Sequence, residues 1–134
     1  MAKVTGVGGI FFKTDDPDAL RKWYRELLGV EDQPWGGASF LFNRRDKPGI
    51  GYTVWSPFKA DTKHFDPSTK PFMINLRVDD LEAMLAQLRA AGAQVLDHRR
   101  EDAENGKFGY VVDPDGTLLE LWEQSDDDPY VPKE

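Results

Sequence analysis

The sequence predicts an α+β fold of two βαβββ modules, whose curved mixed sheets surround a cleft with the helices on the outer face. Three observations predict it: a strand-then-helix pattern that occurs twice, strand-like pieces after each helix, and a turn tetrapeptide joining the last two of them. The first strand is read over Val7 to Phe12, where small and apolar residues alternate. TDDPDALRKWYRELLG then supplies a helix with its signals in order: Asp15 or Asp16 to cap, Pro17 for the first helical position, and a stripe of Leu20, Trp23, Tyr24, Leu27 and Leu28. Gly29 ends it. The pattern returns in PFMINLRVDDLEAMLAQLRAAG, with a strand over Phe72 to Val78, capping Asp79 or Asp80, a stripe of Leu81, Met84, Leu85 and Leu88, and a terminating Gly92. Laying Ile10 on Ile74, a spacing of 64 residues, also lays Asp15 on Asp79, Asp16 on Asp80, Ala19 on Ala83 and Arg25 on Arg89.

The remaining strands follow each helix. In the first half they are a piece near Val30, Ser39 to Asn43, and Gly51 to Trp55. In the second they are Gln94 to Arg99, Phe108 to Val112 and Thr117 to Glu123, the last two joined by the turn Asp113-Pro114-Asp115-Gly116. One domain spans 1–134, with modules at about 5–56 and 71–124, an aperiodic connector at 57–70 and a loosely held acidic tail at 125–134.

Composition removes whole classes of function. The 134 residues hold 17 Lys and Arg against 24 Asp and Glu, a net charge of −7, with no Cys and only His64 and His98. Thiolate metal sites, disulfides and a cysteine nucleophile are excluded, and a reducing cytoplasm is the expected compartment. The acidic balance speaks against nucleic acid, because such affinity rests on neutralising phosphates. Apolar runs of a few residues leave no membrane span. Gly6-Val7-Gly8-Gly9 lacks dinucleotide-loop spacing, and no serine sits in a nucleophile elbow.

Strand alternation sorts the site candidates. Phe72, Ile74, Leu76 and Val78 belong beneath the second helix, so Met73, Asn75 and Arg77 face the open side. By the same rule Gly9, Phe11 and Lys13 are open and Ile10 and Phe12 covered, while Leu118, Glu120 and Trp122 form one row of the last strand. Glu120 is a carboxylate between apolar neighbours, where an acid finds a cation, a metal or a ligand; Arg77 and Lys13 are the candidate ion-pair partners. Trp55 and Trp122 end TVW and ELW, and the other strand aromatics suit an apolar cleft or a core. His64 reads as a solvated connector residue and His98 as part of a charged strand end.

Duplicated βαβββ modules, DDPDALRKWYRELLG after the first strand and VVDPDGTLLELWE at the end resemble the vicinal oxygen chelate superfamily, which includes glyoxalases, bleomycin-resistance proteins and extradiol dioxygenases. The resemblance covers nearly the whole chain. It implies four metal-ligand positions on the first and last strands of the two modules, facing the open side. Carried over, they fall on Gly9, Thr53, Met73 and Glu120, the repeat pairing Gly9 with Met73 and TVW over ELW pairing Thr53 with Glu120. Only Glu120 keeps a good ligand. The expectation is a protein without the usual metal centre that binds a small organic molecule against Phe11, Thr53, Trp55, Met73, Asn75 and Trp122. It either sequesters that molecule or transforms it with Glu120 as acid or base and Arg77 or Lys13 steadying negative charge. The alternative is a divalent-metal glyoxalase or dioxygenase in which His64, His98 or a partner subunit completes the site. The resemblance also implies a site between paired modules, either within one chain or across a homodimer, and the sequence does not choose between them.

Overall fold

The computed structural model describes residues 1–132 and shows an open, curved, mixed sheet of eight strands with two helices. The strands are β1 (Val4–Thr14), β2 (Ala38–Asn43), β3 (Ile50–Lys59), β4 (Phe72–Val78), β5 (Gln94–Val95), β6 (Glu101–Ala103), β7 (Gly106–Val112) and β8 (Leu118–Gln124); the helices are α1 (Pro17–Leu28) and α2 (Leu81–Ala90). Across the sheet the order is β2, β3, β1, β4, β8, β7, β5, with β6 added on β7. No helix among the described residues is long and apolar enough to cross a membrane.

The internal repeat is visible as symmetry. β1 and β4 lie antiparallel at the centre with Ile10 opposite Ile74, the two residues that the 64-residue spacing superposes. Each central strand then pairs in parallel with the last strand of its own half, β1 with β3 and β4 with β8. The helix starts are equally matched: Asp16 and Asp80 each accept a bond of 3.1 Å, from the N–H groups of Ala19 and Ala83. Gly29 closes α1 at φ 70°, a conformation glycine adopts without steric cost.

The halves differ from the expectation in two places. No strand forms near Val30; α1 is followed by Pro34 and a turn in which Gly37 accepts from Gln33, while Arg21 and Arg25 both bind Asp32 and fold this stretch back on the helix. Pro34 lacks a ladder donor, and so the first half is βαββ. In the second half the strand expected over Gln94 to Arg99 shortens to β5, a 3-10 turn takes residues 97–99, and β6 makes an additional hairpin with β7.

Two apolar clusters hold the second half. One lies under α2 and joins Val78, Leu81, Met84, Leu85, Val111 and Leu121. The other lies on the concave face, where Phe65 from the connector is fully covered with Met73, Leu96, Tyr110 and Leu118. The tail, expected to be loose, is tied down as far as it is described. Asp128 is buried and accepts bonds from the Tyr52 hydroxyl at 2.8 Å and from Gln124 Nε2 at 3.1 Å.

Candidate functional site

Four neighbouring strands each place one residue in a single row across the concave face: Gly9 pairs with Asn75, Asn75 with Glu120, and Glu120 with Tyr110. The next row carries Arg77, Trp122 and Phe108. Because alternate residues of a strand share a face, these two rows build one wall.

Glu120 is buried at the centre of the first row. Its Oε1 accepts a bond from Asn75 Nδ2 at 2.7 Å, and its Oε2 accepts one from the Tyr110 hydroxyl. Burial, reinforced by the neighbouring Glu120 charge, pushes the Tyr110 phenol above its ordinary range, so it stays a donor. His64 reaches over from the connector with Nε2 4.0 Å from Glu120 Oε2. Its ring stacks on Phe58 at 5.4 Å, and burial lowers its pKa despite the opposing pull of Glu120, leaving a neutral imidazole at neutral pH. Above these groups opens a cleft of about 310 Å³, bordered also by Gly8, Phe11 and Trp122, whose wall holds no Lys or Arg among the described residues. Gly8 lets the neighbouring side chains pack close on β1, since a Cβ there would collide with Asn75 Oδ1 and stand 2.9 Å from the Trp122 ring.

Of the residues singled out in the sequence, Phe11, Asn75, Glu120 and Trp122 border this cleft, whereas Thr53, Trp55, Met73 and Arg77 do not. The displacement of Thr53 and Trp55 comes from register. β1 pairs Ile10 with Trp55 and β4 pairs Ile74 with Leu119, so the counterpart of Glu120 is Ser56, and TVW does not overlie ELW. Val54 therefore takes the cleft side. Trp55 packs on the other face, 4.6 Å from the Tyr24 ring of α1, and Thr53 donates its hydroxyl to the Val7 carbonyl at 2.7 Å. Met73 is wholly covered in the cluster with Phe65. Arg77 is buried one row away, its guanidinium 4.8 Å over the Trp122 ring and 5.3 Å over Phe42, with one nitrogen donating to Gln124 Oε1. Lys13 lies 5.7 Å over Phe65, so neither cation pairs with Glu120. His98 is exposed on the 3-10 turn.

His64, expected on a solvated connector or joining Glu120, lies half-buried beside Glu120. The available signal was apolar: Phe58 and Phe65 bracket it in an otherwise polar connector, and burying both pulls the histidine between them onto the sheet.

Of the four positions that the resemblance assigns to metal ligands, only Glu120 offers one: Gly9 has no side chain, the Thr53 hydroxyl and Met73 are engaged elsewhere, and both oxygens of Glu120 accept internal bonds. No three His, Cys, Asp or Glu side chains among the described residues are grouped to hold a metal ion.

Comparison with known proteins bears on this arrangement. The glyoxalase-like domain family matches residues 9–122. The protein CFP32 of Mycobacterium tuberculosis, a glyoxylase by name, is 24% identical over 115 residues, covering 83% of this chain and 42% of that protein, so the chain spans less than half of that relative's length. Among solved structures, a methylmalonyl-CoA epimerase in complex with methylmalonyl-CoA and NH4+ aligns at TM-score 0.64 and 20% identity, over 94% of this chain and 99% of that one. The methylmalonyl-CoA epimerase of Mycobacterium tuberculosis aligns at TM-score 0.55 and 22% identity, over 91% and 89%. At such identities these structures share the fold.

Proposed function

The chain belongs to the glyoxalase-like domains of the vicinal oxygen chelate superfamily, and on that premise we propose that it binds a small organic molecule in the cleft above Glu120 and moves a proton on it, with Glu120 as acid/base and without a resident metal. One observation carries the reading: a buried carboxylate, fixed by Asn75 and Tyr110, faces an open cleft with an imidazole 4.0 Å away. Carboxylates of this kind make good bases because their positioning is built in before the substrate arrives.

The chemistry is removal of a proton from a carbon next to a carbonyl. The C–H bond breaks, the proton goes to a Glu120 oxygen, and the electron pair moves onto the carbonyl; return of the proton completes an isomerisation or epimerisation. Asn75 and Tyr110 hold the carboxylate in place, and neutral His64 is set to relay the proton towards solvent. Arg77, behind Trp122, supports the indole face instead of meeting developing charge. The epimerase name of the structures sharing the fold agrees with proton transfer, by analogy of fold. A heavily anionic substrate finds no cationic partner in the cleft wall.

The test is a thermal-shift screen of metabolites and drugs, followed by NMR of each hit in D2O. Hits should exchange their α-proton, and Glu120→Gln should slow that exchange by about 10²-fold or more. Binding without exchange would reduce the role to sequestration. Stoichiometric metal in untagged protein, lost in Glu120→Ala, would overturn the metal-free reading.

A further inference from the structure

A second and larger depression lies on the same concave face, and its chemistry differs from that of the Glu120 cleft. It is an open groove of about 630 Å³ whose wall includes Trp35, Leu41, Tyr52, Val54, Asn105 and Tyr130 and, among the described residues, contains no Asp, Glu, Lys or Arg. In a chain of net charge −7 with 31% charged residues, a wall of that size without one charged group among the described residues is a selective feature. Trp35, Leu41 and Tyr130 are 56%, 53% and 63% exposed, so the apolar surface is open. The groove is also built. Leu41 and Tyr52 are register partners on β2 and β3; Trp35 stands on the turn closed by the Gln33 and Gly37 backbone bond; and Tyr130 is set by its N–H donating 2.9 Å to the buried Asp128 carboxylate.

Val54 and Asn105 line both depressions, so the groove and the cleft adjoin along these two residues. We propose that the groove holds the uncharged, flat apolar body of the same ligand whose polar head lies at Glu120. The substrate class is thus an elongated neutral molecule, a carbonyl head on an aromatic or flat alicyclic body. The continuity with the cleft rests on the functional reading above; occupancy of the groove does not. The two volumes fall within the range of sites for drug-sized ligands, and flat bodies suit indole and phenol walls by stacking.

The neutral fluorophore N-phenyl-1-naphthylamine probes the groove directly in the full chain. It should brighten on saturable one-to-one binding, and Leu41→Asp and Trp35→Ala, both at exposed positions, should each weaken it about tenfold while leaving the melting temperature unchanged. Leu28→Asp, at a comparably exposed apolar residue on α1, should change nothing. The proposal falls if binding does not saturate, if Leu28→Asp weakens it equally, or if sedimentation shows a dimer that Leu41→Asp dissociates, which would give the groove to a second copy. Compounds that shift the melting temperature should displace the fluorophore, and hits that bind alongside it would break the link between the two depressions. Failure of the Glu120 reading looks different: proton exchange would be absent while the fluorophore still saturates.

Discussion

Glu120 shows how one side chain can be set by its neighbours. A carboxylate in mid-strand would be costly to bury alone, and here Asn75 and Tyr110 supply a donor to each oxygen. Tyr110→Phe removes one of them and leaves a charged acceptor short of a bond, so stability at pH 7 should fall by about 1–3 kcal/mol, measured by urea denaturation. The same hydroxyl gives a pH signature. Burial raises the pKa of Tyr110 and of Tyr52 above the free phenol, the latter also through its bond to Asp128. The unfolded chain therefore loses these protons first as pH rises. Their stabilisation is complete below the free value of about 10 and is lost above it. Stability should decline on the alkaline side, and the decline should be shallower by one proton in Tyr110→Phe. Sequence alternation was enough to bring Asn75, Glu120 and Trp122 to one face. It could not show that Tyr110, on another strand, lies opposite Glu120, because that depends on a pairing register set in three dimensions.

Helices α1 and α2 begin with the same cap at repeat-related positions but differ in what they bury. α2 covers Leu81, Met84 and Leu85, whereas α1 has no fully buried residue and leaves Trp23, Leu27 and Leu28 at least half exposed. Their sequence stripes looked alike because periodicity reports an apolar face and not the depth of the surface beneath it. On the first half the helix rests on β3 through Tyr24 and Trp55, and no strand near Val30 fills the space that β5 and the 3-10 turn occupy on the second half. Substitution should expose the difference. Leu85→Ala should cost about 2–5 kcal/mol by leaving a cavity in the cluster under α2, while Leu27→Ala should stay within about 0.5 kcal/mol, both read from urea midpoints at constant slope. The same register logic accounts for Trp55. A tripeptide match between TVW and ELW suggested a shared position, but the equal stagger of the two parallel pairings turns Trp55 to the helix side and brings Val54 to the cleft.

Across the whole molecule, the pseudo-symmetry through Ile10 and Ile74 makes a concave face from both halves, and elements outside the repeat then shape it. The connector covers one end with Phe65 and delivers His64; the tail borders the other through Asp128 and Tyr130. Neither contribution shows as periodicity in the sequence, since polar, proline-bearing segments carry none and their order comes from a few long-range contacts. SDDDPYVP reads as a solvated tail until Tyr52 and Gln124 are seen to need an acceptor, which Asp128 provides. Its removal tests how far the molecule depends on that contact. Asp128→Ala leaves the buried Tyr52 hydroxyl without its acceptor and the Gln124 amide with the Ile50 carbonyl alone, and should cost about 1–3 kcal/mol. Because Asp128 also sets Tyr130, the variant should lose hydrogen-exchange protection over residues 125–131 while the β4 and β8 amides beside Glu120 keep theirs. Equal loss across both regions would mean that the tail supports the central sheet as well as the groove.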